Sequence, residues 1–169
     1  MPNKMMIKDG EIIANPWQIV TTAESFNELS AEALQQPLIV SHALWQTHSD
    51  QLSQHSSLGL WLSNDQALEG IANDIQHFSV IAIDFPIFMD GRAFSLARLL
   101  RERYSYNGEL RATGALIRDQ LSYLKRCGFN SFDLDDSIDI NEALKSLNDF
   151  TEFYQSACDQ DQPLFRRRA

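Results

Sequence analysis

The sequence predicts an α/β domain: a mainly parallel sheet of about five strands with alternating helices, as an open three-layer sheet or a partial barrel, plus an N-terminal β-hairpin. Three observations carry this expectation. Short apolar runs alternate about five times with stretches of helical period, the pattern that right-handed βαβ units produce. The run VIAIDF (80–85) is rich in β-branched residues and lacks strict alternation, as suits a strand covered on both faces. Asp9 and Gly10 give a tight-turn signal between Met6–Lys8 and Glu11–Ala14. With 169 residues the chain reads as one domain, 1–169, with 1–21 as a hairpin extension and 160–169 as a flexible tail.

Taken in order, the hairpin of residues 6–21 is followed by a polar helix over about 23–35, which Pro37 ends. PLIVSH (37–42) reads as a short strand, Ala43 to His55 as a helix, and SLGLWL (57–62) as a buried strand. Asn64 and Asp65 can cap a helix whose Ala67, Leu68, Ile71, Ile75 and Phe78 recur at helical spacing. VIAIDF is ended by Pro86, and the loop IFMDG leads into a helix from about Arg92 to Tyr104. After an Asn107–Gly108 turn come a strand at Glu109 to Ala112 and a helix that Thr113 or Gly114 opens, running through Ile117, Leu121 and Leu124. Gly128 closes it as a left-handed cap, with Lys125 and Arg126 where the helix dipole favours cations. A strand at Ser131 to Leu134 and a helix from about Asn141 to Cys158 complete the series.

Composition narrows the function. No apolar run approaches the roughly 20 residues that span a bilayer, and the first residues lack an apolar export core. The expected setting is therefore cytoplasmic, without a membrane. A net charge of −9 argues against nucleic acid as partner, since phosphate binding needs a basic face. Two cysteines, Cys127 and Cys158, form no CxxC pair, and the four histidines form no HxH or HxxxH, so no metal site is expected. Without a P-loop, a GxGxxG or a serine elbow, no cofactor is expected either. The charge is uneven, however. Residues 92–126 hold eight basic against three acidic side chains, a local +5 that leaves −14 for the remainder. Such a window can draw a small anion or an acidic partner, or be no more than two solvated helix faces.

In parallel α/β folds ligands sit at the carboxyl ends of the strands. That edge receives Ser41 and His42, Ser63 and Asn64, Asp84 through Arg92, Arg111 through Gly114, and Asp133 through Asp136. Asp84 ends a buried strand and needs a partner, Arg92 or Arg111, or else has a ligand or catalytic role. Asp90 is the second catalytic candidate, with helix capping as its alternative. Arg92 and Arg111 can clamp an anion in two-point geometry, with Ser95 and Thr113 donating hydroxyls to it. Arg98, Arg101 and Arg103 line a helix that can face a partner.

The run FPIFMDGRAFSLARLLRERY, with GELRATG, DQLSYLKRCGF and a closing SF, resembles an uncharacterised bacterial domain-of-unknown-function family. Its members are often encoded beside the sulfite reductase hemoprotein, and some carry an oxidoreductase label in sulfite reduction. About 50 residues match closely, with looser agreement in LWL, VIAIDFP and DFTEFYQ. Family members usually have glycine between the two tyrosines where this chain has Ser105. The resemblance implies sulfur assimilation and brings no catalytic residues. Two expectations follow: an accessory protein of assimilatory sulfite reduction, binding a small anion or docking on the hemoprotein or another sulfur-assimilation protein; or a small α/β enzyme, such as an oxidoreductase, with an Arg/Asp anion site.

Overall fold

The computed structural model describes residues 4–30 and 32–167. The first three residues of the expected hairpin extension, Ala31 of the expected 23–35 helix, and Arg168 and Ala169 of the expected tail lie outside the described residues. Among the described residues eight strands form one mixed sheet: β1 (Met5–Lys8), β2 (Glu11–Ala14), β3 (Gln18–Val20), β4 (Leu38–Ser41), β5 (Leu58–Leu62), β6 (Val80–Phe85), β7 (Glu109–Gly114) and β8 (Ser131–Phe132). The order is β2-β1-β8-β7-β6-β5-β4-β3. β3 to β8 run parallel, and the β1–β2 hairpin closes one side antiparallel to β8. The sheet is thus larger and more mixed than the expected five strands, and it curls into a half-barrel.

Strand order explains the curl. Six parallel strands follow one another in chain order, so each right-handed crossover steps to the next position and leaves its connection on the same face. One face is therefore helix-covered and the other is concave. The covered face holds the main core, where Leu60, Ile81, Ile83, Phe85 and Leu110 meet Leu44, Leu96, Leu100 and Leu121. Each such fully buried side chain contributes about 1.5–3 kcal/mol of transfer free energy. The concave face carries a smaller cluster, Ile39, Val80 and Ala82, under Trp17 and Trp61.

The helices are α1 (Ala23–Asn27), α2 (His42–Leu52), α3 (Arg92–Glu102), α4 (Leu121–Arg126), α5 (Ile140–Ser146) and α6 (Leu164–Arg167). Among the described residues no helix is long and apolar enough to cross a membrane. In α3, Ala93, Leu96, Ala97 and Leu100 make the buried stripe, while Arg98 pairs with Glu102 one turn on at 2.7 Å. Gly128 takes φ 110° after α4, and Asp9 and Gly10, at φ 51° and 81°, turn the hairpin.

Four expectations are corrected. The 23–35 helix is a single short helix, α1, followed by a 3₁₀ turn at Ala33–Gln35. The helix after Asn64 is two 3₁₀ turns, Glu69–Ile71 and Ile75–His77; Leu68, Ile71, Ile75 and Phe78 are buried and Ala67 is exposed, and spacings of three and four suit either helix type. No helix opens at Thr113, because β7 continues to Gly114, pairing Thr113 with Asp84 and Gly114 with Phe85. The last long helix stops at Ser146, and the chain then runs as a strap over α4 before α6 forms within the expected tail. Ser105 takes φ 51°, the left-handed region that glycine enters freely.

Candidate functional site at the half-barrel mouth

Alternation along the strands decides what enters the concave face. In β7, Leu110 and Ala112 belong to the covered core, so Glu109, Arg111 and Thr113 point the other way. In β6 the same rule turns Val80, Ala82 and Asp84 inward. The deepest polar layer is an ion network. Arg111, only 1% exposed, donates from Nε and Nη2 to Glu109 Oε1 at 2.9 and 2.6 Å, and from Nη1 to Asn15 Oδ1 at 3.1 Å. Lys8 Nζ reaches Glu109 Oε2 at 2.7 Å. Burial alone pushes the Glu109 carboxyl up, but the Arg111 charge and the hydrogen bonds from Lys8 and Arg111 outweigh it and hold it below its ordinary range.

Above this layer, at the carboxyl ends of the strands, the concave face opens into a cavity of about 610 Å³ lined by Lys4, Ile19, Trp61, Asp84, Thr113, Gly114, Ala115, Leu116, Asp133 and Asp135. Lys4 Nζ pairs with Asp133 Oδ1 at 2.8 Å, and Asn15 Nδ2 donates to Asp133 Oδ2 at 3.4 Å. The Thr113 hydroxyl donates to the Ile83 carbonyl at 3.3 Å. Asp84 is half-buried, and desolvation raises its pKa above the ordinary value of 3.8. Gly114, at φ 93°, lets the chain turn past it: a Cβ there would meet the Phe85 carbonyl oxygen at 2.5 Å and Asp84 Oδ1 at 2.7 Å.

The structure thus brings Asp84, Thr113 and Asp133 together and separates the arginines. Arg111 lies beneath the mouth, spent on Glu109 and Asn15, and neither it nor Arg92 is an ion-pair partner of Asp84. Arg92 stands on the helix side, exposed, with its Nη2 2.6 Å from Asp90 Oδ2 and Nη1 3.8 Å from Asp65. The expected two-point clamp by Arg92 and Arg111 is not assembled. Asp90 accepts the Arg92 N–H at 3.2 Å from the position before Gly91, which is the N-cap of α3, so Asp90 is not itself the expected cap. The Arg92 side chain holds the Asp90 carboxyl well below the usual range. Ser95 is exposed on α3, away from the mouth lining.

Among the expected partner-facing arginines, Arg98 and Arg103 are exposed. Arg101 is turned inward, donating to the carbonyls of Tyr106, Gly108 and Gly128 at 2.6, 2.9 and 2.9 Å and to Asn130 Oδ1 at 3.3 Å. It fastens the α3–β7 connection and has little left for a partner. Of the other strand-end residues, Ser41 caps α2 and the Ser63 hydroxyl donates to Asp65. Sequence reasoning missed Lys4, Lys8, Asn15, Trp61 and Glu109. The available signal was period-two polarity in β7, at Glu109, Arg111 and Thr113; in the hairpin Met6 interrupts it between Lys4 and Lys8.

A mouth of this kind suits a small polar molecule held against Trp61 and Ile19, with Asp84 able to exchange a proton. A sequence model described as a bacterial protein of unknown function, DUF934, matches residues 59–165. That span includes Trp61, Asp84, Thr113 and Asp133, while Lys4, Lys8 and Asn15 come from before it. No curated protein and no solved structure matches the chain.

Proposed function

We propose that this chain, which belongs to the DUF934 family of bacterial proteins, is an accessory protein of assimilatory sulfite reduction that binds a small molecule at the half-barrel mouth. The metabolic setting rests on the resemblance of residues 84–132 to proteins encoded beside the sulfite reductase hemoprotein. The binding role rests on one observation, the half-buried Asp84 with raised proton affinity in the strand-end cavity. Asp84, Asp133 and Asp135 outnumber Lys4 there, so electrostatics favour a neutral or cationic polar ligand over the small anion expected from the arginines. Docking on the hemoprotein would use the neighbouring loop, where Ile87, Phe88 and Met89 are exposed in succession, with Arg98 and Arg103 facing an acidic partner.

The test is genetic. A deletion strain should fail to grow on sulfate or sulfite and grow on cysteine, with growth restored by the wild-type gene and not by Asp84→Asn. Equal growth of the deletion strain on all three sulfur sources overturns the setting. Full rescue by Asp84→Asn overturns the role of the mouth.

A second reading, a small α/β enzyme, is favoured by the same raised proton affinity, which fits Asp84 to act as general acid or base on a bound substrate. Purified protein consuming a substrate, with a rate that Asp84→Asn abolishes while folding is kept, separates it from a binding role alone.

A further inference from the structure

We propose that Cys127 and Cys158 form a thiol–disulfide pair that fastens the C-terminal strap, residues 149–163, to the end of α4. This inference is independent of the function proposed above. The two cysteines are 31 residues apart in sequence and meet in space: the Cys158 thiol donates to the Cys127 carbonyl at 3.5 Å, and the Cys158 N–H donates to the Arg126 carbonyl at 3.1 Å. A disulfide needs Cα atoms about 4.4–6.8 Å apart, and the direct hydrogen bonds from Cys158 to the backbone at residues 126 and 127 bring the two chain segments close enough to ask for one. Both side chains are free thiols here, Cys127 buried and Cys158 partly exposed.

The strap needs a fastening. It holds no helix, its local pairing is an Ala157–Gln160 bridge, and Phe150 and Tyr154 face solvent. One side chain does most of the gripping. Arg126 lies 3.9 Å from the centre of the Phe153 ring, donates to the Gln155 carbonyl at 2.6 Å and reaches Asp159 at 3.5 Å. These contacts hold Cys158 beside Cys127 and make closure of the pair an intramolecular step.

The co-reactant is a small-molecule disulfide such as oxidised glutathione. The Cys158 thiolate, having lost its proton to water, attacks one sulfur of that disulfide, forming a mixed disulfide and releasing one thiolate. The Cys127 thiolate then attacks the Cys158 sulfur, forming the internal S–S bond and releasing the second. Two protein thiols are oxidised by two electrons and one external disulfide is reduced to two thiols. Burial pushes both thiols up, so the exchange quickens as pH rises.

The experiment equilibrates the full chain in glutathione buffers from reduced to oxidised, traps with acid, alkylates the unfolded protein and maps peptides by mass. Oxidised samples should contain a Cys127–Cys158 linked peptide, and chymotryptic cleavage after Phe153 and Tyr154 should slow about tenfold as local opening is suppressed. Cys158→Ser should remove both changes. Oxidised samples in which both thiols stay alkylatable, or carry only glutathione, overturn the pairing. A linked peptide with unchanged cleavage, or slowed cleavage that persists in Cys158→Ser, overturns the fastening.

Discussion

Arg111→Met tests whether the interior arginine serves the fold or a ligand. Methionine keeps most of the length and removes the charge, so the site loses its ion pair without a large cavity. Glu109 would lose two hydrogen bonds and Asn15 one. Removing one partner of a buried pair costs about 3–5 kcal/mol, and because Lys8 still holds Glu109 the lower end, about 3 kcal/mol, applies. At about 2–4 °C per kcal/mol for a domain of this size, Tm should fall by about 6–12 °C in calorimetry. Glu109→Gln added to Arg111→Met should recover at most about 1 kcal/mol, because the carboxylate it removes is still paired with Lys8. The pH dependence has a definite sign. Glu109 is held below its ordinary value of 4.5 in the fold, so its stabilisation is present above that value and is lost as pH falls through the folded one. The gap between wild type and Arg111→Met should therefore close in acid. A variant that keeps its Tm within about 1 °C yet fails to restore growth on sulfite would refute this assignment and return Arg111 to a ligand.

Arg101→Met should destabilise by about 2–4 kcal/mol in urea titrations, since three carbonyls and Asn130 lose a charged donor; a change under about 0.5 kcal/mol would show that water replaces it. Ser105→Gly should stabilise by about 0.5–1 kcal/mol by relieving the left-handed φ of 51°, and a lower urea midpoint would count against that strain. Gly114→Ala should cost at least about 1–3 kcal/mol, through its φ of 93° and the clash with the Phe85 carbonyl, and an unchanged Tm would mean that the β6–β7 edge gives way easily. Asp84→Asn should raise Tm at neutral pH. The sign follows from a folded pKa raised above 3.8: ionised Asp84 destabilises the fold as pH rises through its folded pKa, and the advantage of the asparagine variant should vanish in acid.

What could be read from the sequence was what neighbours in the chain decide. VIAIDF is β6 at the bounds expected, the helix from Arg92 ends within two residues of its expected end, and the Asp9–Gly10 turn and Gly128 cap are where local chemistry puts them. Of the five residues at helical spacing, Leu68, Ile71, Ile75 and Phe78 are buried and Ala67 is exposed, and the period reports a face and not the hydrogen-bond type. β3 is hidden inside the expected hairpin because three residues carry little pattern, and its partner Leu38–Val40 lies beyond α1 and the 3₁₀ turn at Ala33–Gln35. Of the residues that the strand-end rule gathered, Asp84, Thr113, Gly114, Asp133 and Asp135 line the mouth, and Ser41, His42, Ser63, Asn64 and Asp90 do not. The rule is silent on which face of the sheet a strand-end residue enters, and so it grouped Arg92, on the helix side, with Arg111, on the concave one.

That face is what joins fold and site. Lys8 reaches Glu109, Asn15 reaches Arg111, and Lys4 with Asn15 reaches Asp133, so the hairpin segment is tied to β7 and to the end of β8 at three successive depths. A one-residue slip of β7 would turn Leu110 and Ala112 to the polar face and strand Glu109 and Arg111 in the apolar core, which makes the buried charges a register lock for the strand. The same lock sets where Thr113 and Asp84 emerge, side by side in the β6–β7 register, and holds Lys4 across from them on the hairpin. The mouth is therefore not a set of residues added to the end of a finished sheet. Its Asp84 stands among groups whose positions are fixed by an ion network one layer down, so a weakened Arg111 layer should loosen the mouth even with every mouth residue in place.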